Sequence, residues 1–146
     1  MLPIVMLACA FRIEDIPNFK NKIDRSKFYD EICRYRDEKK ISESKLYNSA
    51  GISRAIFSNI RNMRSTNYTP SKPTVLALCI KLKLNLEQSQ DLLALVGYCL
   101  SNNSIEDKII AYCIKKNIAI SRKSIQRFSL RLANIIFQFK KIEKDP

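Results

Sequence analysis

Small polar residues able to cap a helix recur along this chain, each just ahead of a segment with apolar side chains at three- and four-residue spacing. Ser26, Ser42, Ser53, Ser71, Asn85 and Ser121 occupy such places. A side-chain oxygen there accepts from a free N–H of the first turn, and the spacing lays one apolar stripe along a helix. Helices are therefore predicted from Ser26 to about Lys40, over 43–50, from Arg54 to about Asn62, after Ser71, from Asn85 to Gly97, over 104–116, and after Ser121. Gly51 and Gly97 are the only glycines, too few for the turns of a strand-rich fold. The expectation is an all-α fold.

With 146 residues, 46% of them hydrophobic, the chain has material for one domain with a real core. The pattern divides it into an apolar N-terminal extension over 1–24, a helical domain over 25–117 and an amphipathic C-terminal helix over 118–146. The run Met1–Phe11 is apolar, but it has no basic flank or clean cleavage site and is too short to span a bilayer. A cytoplasmic protein with no membrane partner is expected.

Several chemistries are disfavoured. Histidine is absent, which removes the usual general base and the usual zinc nitrogen ligand. Cys9, Cys33, Cys79, Cys99 and Cys113 form no C-x-x-C pair and each lies among apolar residues, so buried free thiols are expected. The acidic pairs Glu14–Asp15, Asp37–Glu38 and Glu106–Asp107 are sequence neighbours that point apart on a helix, and they read as solvated charges. The chain is read as not an enzyme, with no cofactor and no metal.

The charge balance points to a polyanion. Lysine and arginine number 26 against 14 acids, a formal net charge of +12. The window 44–86 holds Lys45, Arg54, Arg61, Arg64, Lys72, Lys81 and Lys83 and no acid. Two short serine-capped helices flank Ala50-Gly51-Ile52, the sequence form of a helix-turn-helix. Leu46, Ala50, Ile52, Phe57 and Ile60 are its expected inward set, with Gly51 supplying the reversal. Ser53, Arg54, Ala55, Ile56, Ser58 and Asn59 are left outward.

With these residues the segment resembles the Xre/Cro-C1 class of helix-turn-helix proteins over about residues 26–96. Tyr47, Phe57-Ser58-x-Ile60-Arg61, Pro70-Ser71-Lys72 and Asp91-Leu92-Leu93 through Gly97-Tyr98 extend the likeness to about residue 117. The resemblance implies a lambda-repressor-like core of about five helices, with the arm and C-terminal helices added. It also implies double-stranded DNA as partner and transcriptional regulation, as a repressor, as function. It places Arg54, Ala55 and Asn59 at base edges, where arginine suits guanine and asparagine suits adenine. Ser53, Ser58, Arg61, Asn62, Arg64 and Lys72 become the candidate contacts to the DNA backbone. Glu43 departs from the family, whose members usually carry glutamine there; a carboxylate would be repelled by phosphate, yet could accept from cytosine. Tyr47 replaces a residue that is small in the broad class.

Two further partners stay open. Ile125, Phe128, Leu132, Ile135 and Phe139 form a seam that either completes the monomer or joins two copies along the C-terminal helix. Glu43, Tyr47, an exposed Ile56 and the apolar N-terminus would equally suit a protein-interaction module on the same scaffold, such as an adaptor, an antitoxin or a phage-type inhibitor.

Overall fold

The computed structural model describes residues 26–127. The expected N-terminal extension, Cys9 and the C-terminal seam beyond residue 127 lie outside that range. The described residues are all-helical and contain no strand. In chain order come α1 (Ser26–Glu38), α2 (Glu43–Ser49), α3 (Arg54–Arg61), α4 (Lys72–Lys81), α5 (Leu86–Ala94) and α6 (Ile105–Lys115). A further helical stretch covers 122–127.

Capping sets where these helices start. Ser42 accepts from the Lys45 N–H, Ser53 from Ile56 and Ser104 from Asp107. Asn85 takes part in a reciprocal box, accepting from the Gln88 N–H at 2.8 Å while its own N–H donates to the Gln88 side chain at 3.0 Å. Each such cap is worth about 1 kcal/mol. Ser71 differs from expectation. Its hydroxyl pairs with that of Thr74 at 2.9 Å, and no side-chain cap bond forms.

The ends are set by left-handed residues. Lys40, Gly51, Lys83, Gly97 and Asn117 all have positive φ. After each, the next N–H reaches back five residues: Ile41 to Arg36, Ile52 to Tyr47, Leu84 to Cys79, Tyr98 to Leu93 and Ile118 to Cys113. This closure satisfies carbonyls that the helix leaves free. Two lysines and an asparagine serve here as well as the glycines, which is how so glycine-poor a chain makes so many reversals.

α4 is apolar all round, and Thr74, Val75, Leu76, Ala77, Leu78 and Cys79 are all buried in it. A helix of that kind belongs at the centre, and α4 packs against α2 and α5, with α3 against α2 and α6 against α5. Phe28 and Ile32 of α1 are fully buried in the same core. Each such aliphatic or aromatic side chain contributes about 1.5–3 kcal/mol of burial. Among the described residues no helix is long and apolar enough to cross a membrane.

Three expectations need correction. Cys33, Cys79, Cys99 and Cys113 are free thiols, and Cys79 and Cys113 are buried, but Cys99 is exposed beside the Gly97 reversal. The apolar spacing over 104–116 sets Ile105 on one stripe with Ile109, Ile110, Cys113 and Ile114, yet Ile105 is 49% exposed because it lies in the first turn, ahead of the buried Ile110, Cys113 and Ile114. Asp107 is not solvated. It is 7% exposed and ion-paired.

Candidate nucleic-acid interface

The reversal between α2 and α3 rests on Gly51. Its φ of +69° is left-handed, a region where a Cβ costs about 1–2 kcal/mol. The Gly51 N–H donates to Asn48 at 3.1 Å and the Ile52 N–H to Tyr47 at 2.9 Å, so the turn is closed by the backbone itself. Leu46, Ala50, Ile52, Phe57 and Ile60 are each at most 3% exposed, matching the expected inward set. Phe57 anchors the crossing, edge-on to Tyr29 with ring centres 6.3 Å apart and tilted against Tyr47 at 5.6 Å.

With its inner face so engaged, α3 turns its first residues outward. Arg54, Ala55 and Asn59 are exposed. Ala55 and Asn59 are four apart and share a face, with Arg54 beside them. Ser53 is exposed too, its hydroxyl accepting from the Ile56 N–H at 3.1 Å. Ile56 and Ser58 depart from the outward reading. Both are half-buried, and Ile56 packs against the core. The Ile56 expected to be exposed is thus partly withdrawn into the core.

The far end of α3 has a different environment. Arg61 is ion-paired with Glu43, the first residue of α2. The other oxygen of Glu43 lies 3.4 Å from the Arg36 guanidinium and accepts from the Tyr29 hydroxyl, also at 3.4 Å. Burial raises the Tyr29 pKa above its ordinary value, with a hydrogen bond to Cys33 adding to the rise and Arg61 opposing it. Arg36 is in turn bound to Asp37 at 2.8 Å. Arg64 lies 4.0 Å from Asp30, and Asn62 is exposed at the C-cap.

Lys72 has a different partner. Its ammonium lies 2.8 and 2.9 Å from the two oxygens of Asp107, which also accepts from the Ser101 N–H at 2.8 Å. A lysine held by both oxygens of a buried carboxylate latches α4 to α6, and it is not available to a phosphate without breaking that pair. Lys72, expected at a phosphate, is found in this pair.

Other contacts around the turn carried no signal in the sequence. The Tyr98 hydroxyl donates to the Pro70 carbonyl at 2.9 Å, fixing the end of the loop that follows α3. Gln90 pairs with both backbone groups of Leu100. Arg122 approaches from far along the chain and donates to the Gly51 carbonyl at 3.5 Å. No cluster of residues able to hold a metal ion occurs among the described residues.

Comparison of the chain with protein-family models, with curated proteins and with solved structures finds no match.

Proposed function

We propose that this chain binds double-stranded DNA sequence-specifically through the first turns of α3, on a lambda-repressor-like helix-turn-helix of the Xre/Cro-C1 kind, and regulates transcription as a repressor. What supports this reading is the outward set Arg54, Ala55 and Asn59 above a fully buried motif core. Arginine can donate twice to guanine O6 and N7, and asparagine can pair with adenine N6 and N7. Ser53, Ser58, Arg61, Asn62 and Arg64 flank that set as candidates for phosphate. Lysine and arginine outnumber acids by 12 over the whole chain, so counterion release would add affinity for any duplex.

Selection of bound duplexes from a random pool tests the reading, followed by titration of the selected duplex at rising salt. An enriched motif and a steep loss of affinity with salt are expected. A folded protein with no affinity for any duplex at low salt overturns it.

A protein-interaction role on the same scaffold is favoured by one observation, the exposure of Ile105, Tyr112 and Ile118 at 49, 56 and 44%. That role predicts a stoichiometric protein complex sensitive to Tyr112→Asp and indifferent to Arg54→Ala.

A further inference from the structure

The strongest unexplained arrangement is the one around Glu43. Its carboxylate sits between two guanidiniums, those of Arg61 and Arg36, with the Tyr29 hydroxyl donating to one oxygen. A phosphate would seek the same three donors. Carboxylate and phosphate diester oxygens are alike in charge and in accepting paired N–H bonds from arginine. The Glu43 side chain is 27% exposed and that of Arg61 48%, so the pair lies at the rim and is open to exchange with an external anion. Gly51 and the buried motif core hold α2 and α3 in fixed register, which keeps Glu43 beside Arg61.

We infer that Glu43 is an internal phosphate mimic that occupies Arg61 in the free protein and sets how tightly the helix-turn-helix grips the DNA backbone. The inference rests on the DNA-binding reading and concerns regulation of that same surface. On a duplex, Arg61 exchanges Glu43 for a backbone phosphate or is shared between the two. The nearby negative charge of Glu43 opposes the approach of that phosphate. Glutamine at the same place keeps an oxygen for Tyr29 and Arg36 and removes the repulsion. The penalty falls equally on all sequences, because phosphates carry no base identity.

The test is a double-mutant cycle in the full chain with a defined duplex: wild type, Glu43→Gln, Arg61→Ala and the double variant, each titrated across a salt series. Glu43→Gln is expected to tighten binding about fivefold at low salt, the scale of one unscreened charge a few ångströms away in water. Its plot of log affinity against log salt should steepen by about 0.9, one phosphate contact. The gain should shrink in the double variant, because the part that comes from freeing Arg61 is lost while the direct repulsion between Glu43 and phosphate remains to be relieved; an undiminished gain would refute the mimic. Thermal melting of Glu43→Gln establishes that the variant is folded. If wild type binds and a folded Glu43→Gln shows the same slope or weaker binding, the mimic is refuted while the DNA reading stands. If neither binds any duplex, the DNA reading fails and takes this inference with it.

Discussion

The two ends of α3 carry the same side-chain chemistry in opposite settings. At the first turn Arg54 is exposed and has no ion-pair partner among the described residues. At the last turn and just beyond it, Arg61 meets Glu43 and Arg64 meets Asp30. The positive end of the helix dipole also lies at the first turn. Positive potential is therefore concentrated where the bases would be read, and partly cancelled where phosphates would be gripped. A stretch of sequence without acids is not a volume without acids. The window 44–86 has none of its own, but the fold brings in Glu43 from its edge, Asp30 from α1 and Asp107 from α6.

The severest way to break this contrast is to remove what holds the two ends together. Phe57 is fully buried between Tyr29 and Tyr47 and is the hinge of the α2–α3 crossing. Phe57→Ala should cost about 3–5 kcal/mol, the usual range for a large aromatic truncated in a close-packed core. In a denaturant titration the midpoint should fall steeply, and both ends of α3 should lose their distinct environments at once. A loss below about 1 kcal/mol would mean that the crossing is held by something else.

Next in size are three substitutions that sort the basic residues. Lys72→Ala leaves the buried Asp107 carboxylate with its backbone donor but without its countercharge. A cost of about 1–3 kcal/mol in stability is expected, below the full buried-pair range because the Lys72 side chain is 30% exposed. Duplex affinity of the folded protein should not change. Arg54→Ala should do the reverse, leaving the melting midpoint alone and costing about 1–3 kcal/mol in binding to the preferred duplex. Arg61→Ala should cost less than about 1 kcal/mol in binding and weaken all duplexes alike, since its charge is already partly spent on Glu43. Equal effects of Arg54→Ala and Arg61→Ala, on preferred and random duplexes alike, would erase the distinction between the two ends.

The legible part of the molecule is the part written in local rules. Capping serines, apolar spacing and Gly51 located the helices, the turn and the whole inward set of the motif. What stayed hidden depends on partners far apart in the chain. Lys72 and Asp107 are 35 residues apart, Tyr98 and Pro70 are 28 apart, and Arg122 and Gly51 are 71 apart. Asp107 read as solvated because it points away from Glu106 on a helix, yet the direction it takes leads onto Lys72, a partner that no local rule reveals. Lys40, Lys83 and Asn117 hid for another reason. Left-handed closure leaves a plain signature only when the residue is glycine, although Ile41 and Leu84, which follow two of these residues, pack on the core as the hydrophobic contact of such caps requires; Ile118 after Asn117 is exposed.

A gentler probe concerns the environment beneath the crowded end. Tyr29 donates to Glu43, and burial lifts its pKa above the usual 10. A raised value means that the fold favours the neutral phenol. Its contribution is fully present below pH 10 and is lost as pH rises through the folded-state value. Tyr29→Phe should cost about 0.5–1 kcal/mol at neutral pH, the worth of one net hydrogen bond, and should flatten the decline in stability above pH 10. Chemical denaturation at pH 8 and pH 11 reads both effects, and an unchanged pH dependence would mean that burial does not hold the phenol neutral.

The smallest expected effect comes from the turns and runs in the stabilising direction. Gly51 and Lys83 close α2 and α4 with the same backbone geometry, at φ of +69° and +51°. Lysine in that conformation bears a steric cost of about 1–2 kcal/mol that glycine does not. Glycine, however, gives the unfolded chain more freedom, which returns about 0.5–1 kcal/mol. Lys83→Gly should therefore raise stability by less than about 1 kcal/mol, whereas Gly51→Ala should lower it by about as much or more. The two melts together separate backbone strain from side-chain contact. A Cβ on Gly51 would stand 3.9 Å from that of Arg122, an ordinary contact distance, so any loss on Gly51→Ala reports the left-handed conformation and not a clash.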